Sequence, residues 1–334
     1  MKTLRVALLG LGSVGLGVVN VLSNPIHGCT ITAVADSKSG VISQNGEGIQ
    51  INEILSRKKK TGLCGDVTIN AEKIVQEADY DVLVDVTPTN IKTGEPSLSY
   101  ILQALKRGKS VVTSNKGPVS IAYPKILQTA NEHNASFLFE GTVAGAIPII
   151  NGIQNGLAGN PIRRLFGVLN GTCNYILTRM GDEGLTYTQA LNEAQDLGYT
   201  EADPTSDING TDSAIKLVIL ANTIFSMGVT LKDVTKIGID KLTPESLLLA
   251  SKTNQTIRLI AFIDPTKKIL EVSPQLIPKE HPLVVEGTLN AITIETELAG
   301  PITFIGRGAG SIETASAILS DLMKIKREYM LICS

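Results

Sequence analysis

Apolar runs and helical segments alternate through the first 140 residues. The first run, at residues 4–9, is short and almost continuously apolar, which is typical of a parallel strand buried on both faces. Further strands are predicted at residues 30–35, 81–88, 110–116 and 135–139. Helical spacing of apolar positions is found at residues 98–107 and 118–133. The alternation predicts an α/β fold with a doubly wound parallel sheet, in which ligands bind outside the carboxyl ends of the strands.

A glycine-rich turn joins the first strand to the first helix. Its sequence, G-L-G-S-V-G, matches the G-x-G-x-x-G pattern of dinucleotide-binding turns. In that pattern the first glycine makes the turn, the second lets the backbone approach a pyrophosphate, and the third lets helix and strand pack closely. We therefore expect a Rossmann-type cofactor site that includes Gly10, Gly12, Ser13, Val14 and Gly15.

The second strand ends in Asp36. An acid about 20 residues after the glycine turn hydrogen-bonds the adenine-ribose hydroxyls in such sites. Asp36 would repel a 2′-phosphate, which favours NAD, whereas Lys38 and the basic run at residues 57–60 would attract one. The choice between NAD and NADP therefore stays open. Taken alone, the basic run is interpreted as a solvated loop.

Polar side chains collect where the predicted parallel strands end. Thr87 follows one strand, and Ser114, Asn115 and Lys116 follow the next. Lys116 has two interpretations, a cation near the nicotinamide or substrate and an ordinary surface lysine. Its position alone does not decide between them.

The strict alternation stops after residue 139. From composition, the glycine-rich turn at residues 140–148 is interpreted as a linker between domains, with a carbonyl-lined cation site beside Glu140 as the alternative. Residues 303–310 predict a strand end and a second glycine turn. The helix that follows, at residues 312–328, is expected to return and cover the nucleotide domain.

A polar loop interrupts residues 165–176, between a predicted strand and a predicted helix. Asn170 and Thr172 lie in this loop, where their small polar groups would contact a substrate. Asn174 is predicted to cap the helix N-terminus.

Four carboxylates and then one lysine mark residues 201–216, EADPTSDINGTDSAIK. Asp212 and Lys216 are spaced i,i+4 at the start of an apolar helix, so they face one way. A buried lysine tends to lose its proton and a nearby carboxylate holds it on, which gives a group able to donate and accept a proton. Reversible carbonyl reduction needs such a group at the developing alkoxide. The alternative is a structural salt bridge.

Composition narrows the class of protein. The chain has 334 residues, 43% hydrophobic and 19% charged, with a net charge of −2. This composition predicts a folded protein and gives no indication of nucleic-acid or membrane binding.

Scattered cysteines and few histidines argue against zinc and disulfide frameworks and favour a cytoplasmic setting. Cys333 is interpreted as a free thiol, with a subunit cross-link as the alternative. No segment is apolar over the about 20 residues that a transmembrane helix needs.

Several blocks of sequence, in order along nearly the whole chain, resemble the homoserine dehydrogenase family. They are G-L-G-S-V-G at 10–15, S-N-K at 114–116, E-G-T-V-A-G-A-I-P at 140–148, L-N-G-T-C-N-Y-I-L at 169–177, G-Y-T-E-A-D-P at 198–204, D-I-N-G-T-D-S-A-I-K at 207–216 and G-R-G-A-G at 306–310. The resemblance implies reversible NAD(P)H-dependent reduction of L-aspartate 4-semialdehyde to L-homoserine, in threonine, methionine and isoleucine biosynthesis.

The resemblance also implies roles for individual residues. Lys216 is the catalytic proton donor and acceptor, and Lys116 is a second lysine near substrate and nicotinamide. Glu201 and Asp212 bind the substrate, whose ammonium group two carboxylates suit. Further cofactor or cleft contacts are Thr87, Gly198 and Gly308. A sodium or potassium ion is held, largely by backbone carbonyls, by Glu140, Val143, Gly145 and Ile147, which replaces the linker interpretation.

We expect two domains. Residues 1–139 plus 303–334 form the dinucleotide-binding domain, and residues 140–302 form an α+β catalytic and dimerisation domain. By resemblance, a sheet of the second domain forms a homodimer. Because the chain stops soon after Gly308 and its helix, we expect no C-terminal ACT-type regulatory domain. Residues 37–65 match no motif of the family.

Two other functions are alternatives to this one. A semialdehyde dehydrogenase would acylate a cysteine, for which Cys173 is the candidate, but no histidine base lies between His133 and His281. A non-catalytic nucleotide sensor would bind the dinucleotide but would have no use for Lys116 and Lys216.

Overall fold

The computed structural model describes residues 3–332, with side chains through residue 329, and divides into two compact units. The first unit contains the chain up to Gly145 and from Gly310 onward, and the second contains Ala146–Ala309. The prediction about Cys333 lies outside the described residues. No helix within residues 3–332 is long and apolar enough to cross a membrane.

A six-stranded sheet forms the centre of the first unit. Its strands are β1 (Leu4–Leu9), β2 (Cys29–Ala35), β3 (Gly40–Ile42), β4 (Val82–Asp85), β5 (Ser110–Thr113) and β6 (Phe137–Leu138). Their order is β3-β2-β1-β4-β5-β6, with parallel pairing throughout except between β2 and β3. The central strands β1 and β4 are almost fully buried, as their mostly apolar sequences require. The predicted doubly wound parallel sheet is confirmed.

Helices connect these strands. They are α1 (Ser13–Leu22), α2 (Ile51–Thr61), α3 (Ala71–Glu77), α4 (Ser97–Lys106) and α5 (Lys116–Glu132). The interpretation of residues 57–60 as a loop was wrong, because these residues form the last turns of α2. Three lysines at the C-terminal end of this helix interact favourably with its dipole, and Gly62 ends it in the left-handed conformation.

The second unit contains a mostly antiparallel sheet. Its strands are β7 (Ile162–Val168), β8 (Thr235–Lys236), β9 (Gln255–Asp264), β10 (Ile269–Pro278), β11 (Leu289–Thr296) and β12 (Pro301–Arg307), in the order β12-β11-β7-β9-β10-β8. Its helices are α6 (Ile149–Asn151), α7 (Gly171–Glu183), α8 (Tyr187–Asp196), α9 (Thr205–Ile208), α10 (Thr211–Ile224) and α11 (Pro244–Lys252). Helices α7 and α10 pack against the sheet, and nearly all of α10 is buried.

The unit boundaries differ from the expected domain boundaries. We expected residues 303–334 to belong with the first domain, but β12 pairs with β11 along its whole length and so belongs to the second sheet. Residues 140–145 belong to the first unit. The chain re-enters that unit as α12 (Ser311–Ile332), which packs against α1. The Ser311 hydroxyl donates to the carbonyl of Ser13 at 2.5 Å.

Candidate active site

The glycine turn between β1 and α1 is shaped to admit a phosphate group. Gly10 has a φ of +104°, and a Cβ there would lie 2.7 Å from the carbonyl oxygen of Val86. A Cβ at Gly15 would overlap the Gly10 carbonyl. At Gly12, in contrast, no described atom beyond its two chain neighbours lies within 4 Å of the Cβ position, and no side chain caps α1, which begins at Ser13 and Val14. The backbone N–H groups of the first turn of α1 therefore fit a pyrophosphate.

Asp36, at the end of β2, forms an ion pair with a residue of α2. Lys58 Nζ lies 2.7 Å from Asp36 Oδ2 and also donates to the carbonyl of Leu11 at 3.3 Å. The other carboxylate oxygen accepts from the backbone N–H groups of Lys38 and Ser39. Burial alone would raise the pKa of Asp36, but these hydrogen bonds outweigh burial and lower the pKa. Lys58 lies in the segment that matched no motif, so its ion pair with Asp36 could not be predicted from the sequence.

A buried carboxylate organises the ends of β4 and β5. Asp85 accepts hydrogen bonds from Thr87 Oγ1 at 2.6 Å, from Thr113 Oγ1 at 3.2 Å and from the Ser97 hydroxyl. Complete burial raises the pKa of Asp85, against the effect of these hydrogen bonds. Sequence reasoning missed this residue, because an acid at a strand end does not reveal whether it is buried.

Lys116 is placed by the same network. The amide of Asn115 donates to Thr87 Oγ1 at 3.2 Å, and its oxygen accepts from the backbone N–H of Gly117, which caps α5. Lys116 is the first residue of that helix and is half-buried. The structure therefore brings Thr87 and the start of α5 together at the carboxyl ends of neighbouring strands, as the doubly wound fold predicts.

The turn at the end of the first unit is buried. Glu140 is 2% exposed, and its backbone N–H donates to Asp321 of α12 at 2.9 Å. Val143 is also buried, and Gly145 has a φ of +50°. Within the described residues, no group of three or more His, Cys, Asp and Glu side chains is placed to hold a metal ion.

In the second unit, Lys216 is buried at 7% exposure. Its Nζ lies 2.7 Å from Asp212 Oδ2, one turn earlier on α10, and donates to the carbonyl of Leu169 at 2.7 Å. Asn170 Nδ2 reaches the same Asp212 oxygen at 3.0 Å. Lys216 therefore joins the first turns of α10 to the end of β7, and its ammonium is held by one carboxylate and one carbonyl.

The polar loop after β7 continues this network. Asn170 Nδ2 also donates to Asp207 Oδ1 at 2.7 Å, and Thr200 donates to the other Asp207 oxygen. Thr172 Oγ1 donates to the carbonyl of Tyr199 at 2.9 Å. The loop is thus tied to the acidic segment on both sides. Asp207 holds the loop through its contacts to Asn170 and Thr200.

One prediction about this loop was wrong. The N-cap of α7 is Asn170, whose side-chain oxygen accepts from the backbone N–H of Cys173 at 2.8 Å. Asn174 lies one turn inside the helix, and its Nδ2 donates to the carbonyls of Val285, Gly287 and Leu289. Asn174 instead stabilises the packing of α7 against residues 285–289, and the cap is formed four residues earlier.

Four further residues of the second unit were predicted to belong to the substrate, cofactor or cation sites. Glu201 is exposed between α8 and α9 and takes no part in the Lys216 network. Gly198 follows α8 with a φ of +72°, where a side chain would be strained. Gly308 follows β12 and is buried. Ile147 is buried just before α6.

Cys173 does not have the surroundings of a nucleophile. Its thiol is fully buried and lies 3.2 Å from the carbonyl oxygen of Asp207. Burial, with the nearby charges of Asp207 and Asp212, raises the pKa of Cys173 well above its usual value. A thiol in this state does not supply the thiolate that acyl transfer requires.

Known proteins are similar to this chain over nearly its whole length. The homoserine dehydrogenase family model matches residues 148–323, and the model of the homoserine dehydrogenase NAD-binding domain matches residues 10–140. Homoserine dehydrogenase from Methanocaldococcus jannaschii is 43% identical, covering 96% of this chain and 98% of its own length. The crystal structure of a homoserine dehydrogenase from Thiobacillus denitrificans is 32% identical, with a TM-score of 0.84 over 99% of this chain and 75% of that one. A hyperthermophilic archaeal homoserine dehydrogenase in complex with NADPH is 29% identical, with a TM-score of 0.84 over 98% of both chains.

Proposed function

Because this chain belongs to the homoserine dehydrogenase family, we propose that Lys216 is the proton donor and acceptor of its reaction. The chain is an NAD(P)-dependent oxidoreductase that interconverts L-homoserine and L-aspartate 4-semialdehyde. The observation that carries the proposal is the buried ion pair of Lys216 and Asp212, which is fixed by the Leu169 carbonyl and by Asn170.

The arrangement suits proton transfer at the substrate oxygen. When bound, the nicotinamide supplies or takes the hydride. As the aldehyde is reduced, Lys216 Nζ gives a proton to the carbonyl oxygen, and it takes the proton back from the hydroxyl during oxidation. Asp212 holds the Lys216 ammonium at 2.7 Å, and burial in α10 keeps water away, so that the ammonium charge acts strongly on the developing alkoxide.

Substrate recognition is proposed for the acidic segment. Asp212 and Glu201 bind the ammonium group of the amino acid, while Gly198, Asn170 and Thr172 shape the same end of the unit. The exposed position of Glu201 leaves its carboxylate accessible to a ligand. Asn170 supports this role by holding Asp212 in place at 3.0 Å.

Cofactor binding is proposed for the first unit. The glycine turn, with Gly10, Gly12, Ser13, Val14 and Gly15, holds the pyrophosphate, and Asp36 with Lys58 lies at the adenine-ribose end. Because Lys58 compensates the charge of Asp36, the pair does not simply repel a 2′-phosphate. Contacts of Thr87, Lys116 and Gly308 with the cofactor stay predictions.

A monovalent cation is proposed at the buried turn of Glu140, Val143 and Gly145, with Ile147 two residues beyond. Carbonyl and carboxylate oxygens are the ligands that hard cations prefer. Turnover should rise when potassium or sodium chloride replaces a salt of a bulky organic cation, and Glu140→Gln should remove the difference. Equal turnover in all these salts would contradict the site.

A homodimer is proposed through the face of the second sheet that carries Phe166 and Phe262. These two rings stack at a centroid distance of 4.8 Å and are only half-buried. With Ile260 and Ile277 they line a groove on β7, β9 and β10. A partly exposed aromatic groove of this kind is typical of an interface.

The direct test is turnover. Purified protein is mixed with L-homoserine and NAD⁺ or NADP⁺, and the absorbance of the reduced nicotinamide is followed; the reverse reaction uses L-aspartate 4-semialdehyde. We expect substrate-dependent absorbance changes of opposite sign in the two directions. If the absorbance changes in neither direction, with both cofactors and in sodium and potassium salts, the function is refuted.

A further inference from the structure

Asn290, at the start of β11, is a buried amide without a hydrogen-bond partner. The residue is 1% exposed, and neither Nδ2 nor Oδ1 has a partner within residues 3–332. Among the described side chains, it alone has both of its polar atoms buried in this way. Burying an amide without hydrogen bonds costs free energy, and an apolar residue of similar size would avoid this cost.

Other asparagines in the same unit are used differently. Both atoms of the Asn222 amide are paired with the backbone of Val229, at 2.8 Å each. Asn170 caps α7 and holds two carboxylates. The side chains of Asn222 and Asn170 therefore stabilise the fold through hydrogen bonds, whereas the side-chain amide of Asn290 makes none within the described residues.

The position of Asn290 points to the Lys216 network. On β11, Ala291 pairs with Val168, the last residue of β7, so the next step along both strands brings Asn290 beside Leu169. The carbonyl of Leu169 accepts the hydrogen bond from Lys216. On its other side Asn290 pairs with Gly306 of β12.

Gly308 encloses the amide. A Cβ at this position would overlap the side-chain amide of Asn290, so glycine allows the backbone to lie directly against it. The amide thus lies between the turn after β12 and the residue that binds the Lys216 ammonium.

The donors already in this network are occupied. Asn170 Nδ2 bonds to Asp207 and Asp212, and the Thr172 hydroxyl donates to Tyr199. The Nε of Arg258 also lacks a partner within the described residues, but by strand alternation Arg258 shares the Phe262 face of the sheet, opposite to Asn290. Asn290 is therefore the buried side chain that offers an uncommitted N–H beside Leu169.

An amino-acid substrate has a group that needs such a donor. Asp212 and Glu201 suit its ammonium, but its α-carboxylate requires N–H or O–H groups. We propose that Asn290 binds the substrate, with Nδ2 donating to the α-carboxylate of homoserine or aspartate semialdehyde. This inference rests on the proposed function, and it makes Asn290 a binding residue whose amide is paired only in the substrate complex.

The test compares Asn290→Leu with Asn222→Leu, because both replace an amide by an apolar group of similar size. Asn290→Leu should keep or raise the melting temperature while raising the KM for homoserine at least about tenfold, with the KM for the nicotinamide cofactor changed less than about twofold. Asn222→Leu should lower the melting temperature and leave the KM for homoserine unchanged.

A substrate analogue locates the contact. 3-Aminopropan-1-ol is homoserine without its carboxylate, and its inhibition constant against homoserine should be the same for wild type and Asn290→Leu, since the lost hydrogen bond is one that this analogue never makes. A lower melting temperature for Asn290→Leu with an unchanged homoserine KM would overturn the proposal, and so would an effect confined to the cofactor KM. A wild-type protein that does not oxidise homoserine would refute the proposed function itself.

Discussion

Lys216 Nζ lies 2.7 Å from Asp212 Oδ2 inside a helix that is otherwise almost wholly buried and apolar. An exposed i,i+4 pair of this kind contributes little to stability, but a buried pair acts in a low dielectric, where each charge strongly affects the other. This burial distinguishes the pair from an ordinary surface salt bridge and supports the proton-transfer role that we propose for Lys216.

Removing the Lys216 amine should abolish most of the turnover. Lys216→Met should lower kcat by about 10²–10⁴-fold, because the general acid is lost. Lys216→Arg keeps the positive charge but does not give up its proton, so it should be nearly as slow. Steady-state kinetics in both directions measures this, with cofactor binding by fluorescence titration as the control. Full activity of Lys216→Arg would show that charge alone suffices.

Lys58 should influence the choice of cofactor. Lys58→Met leaves the Asp36 carboxylate without its compensating cation, so that it repels a 2′-phosphate. The KM for NADP(H) should rise by about tenfold, and the KM for NAD(H) should change much less. Lys59→Met, a neighbour on the same helix, is the matched control. Equal changes for both cofactors would contradict this assignment.

The Asp36–Lys58 pair should also make stability depend on pH. The folded-state pKa of Asp36 is lowered, so its contribution is complete above the unfolded value of about 3.9 and is lost as the pH falls through the folded value. Asp36→Asn should be less stable than wild type by about 1 kcal/mol near neutrality. Urea unfolding at several pH values should show this difference shrinking below about pH 4. If the difference in free energy of unfolding between wild type and Asp36→Asn grew on acidification, it would contradict a lowered pKa of Asp36.

Cys173 should be dispensable for the chemistry. Cys173→Ser should retain kcat within about threefold, because a buried thiol of raised pKa provides no thiolate. The kcat of Lys216→Met, measured in the same assay, shows how large the decrease is when the proposed general acid is removed. If Cys173→Ser is folded, as judged by circular dichroism, but completely inactive, the result would favour a semialdehyde dehydrogenase that acylates Cys173.

Assembly should depend on the aromatic face of the second sheet. Light scattering during size exclusion should give twice the chain mass for wild type, and Phe262→Arg should reduce it, because a charge in an apolar interface is costly. Ile26→Arg alters a residue of the first unit that is 81% exposed and should leave the mass unchanged. A monomeric wild type would contradict the homodimer, and a dimeric Phe262→Arg would place the interface elsewhere.

The pattern of the chain alone determined a large part of this protein. Apolar runs predicted β1 with its observed bounds, because a strand buried on both faces is mostly apolar; Arg5, near the start of β1, is its one charged residue. The blocks around the glycine turn and at residues 198–216 indicated the family, which the comparisons confirm. The i,i+4 spacing predicted that Asp212 and Lys216 meet, since helix geometry brings such residues together whatever surrounds them.

Only the tertiary structure determined the ion pairs, hydrogen bonds and strand pairings between residues that are distant in sequence. Asp36 is joined to Lys58, Lys216 to Leu169, and the strand Pro301–Arg307 to the second sheet rather than the first unit. The unpaired amide of Asn290 belongs to the same class, because a sequence shows that an asparagine is present but not whether its hydrogen bonds are made. Local patterns encode periodicity and turn chemistry, whereas burial and hydrogen-bond satisfaction arise only when separate segments pack together.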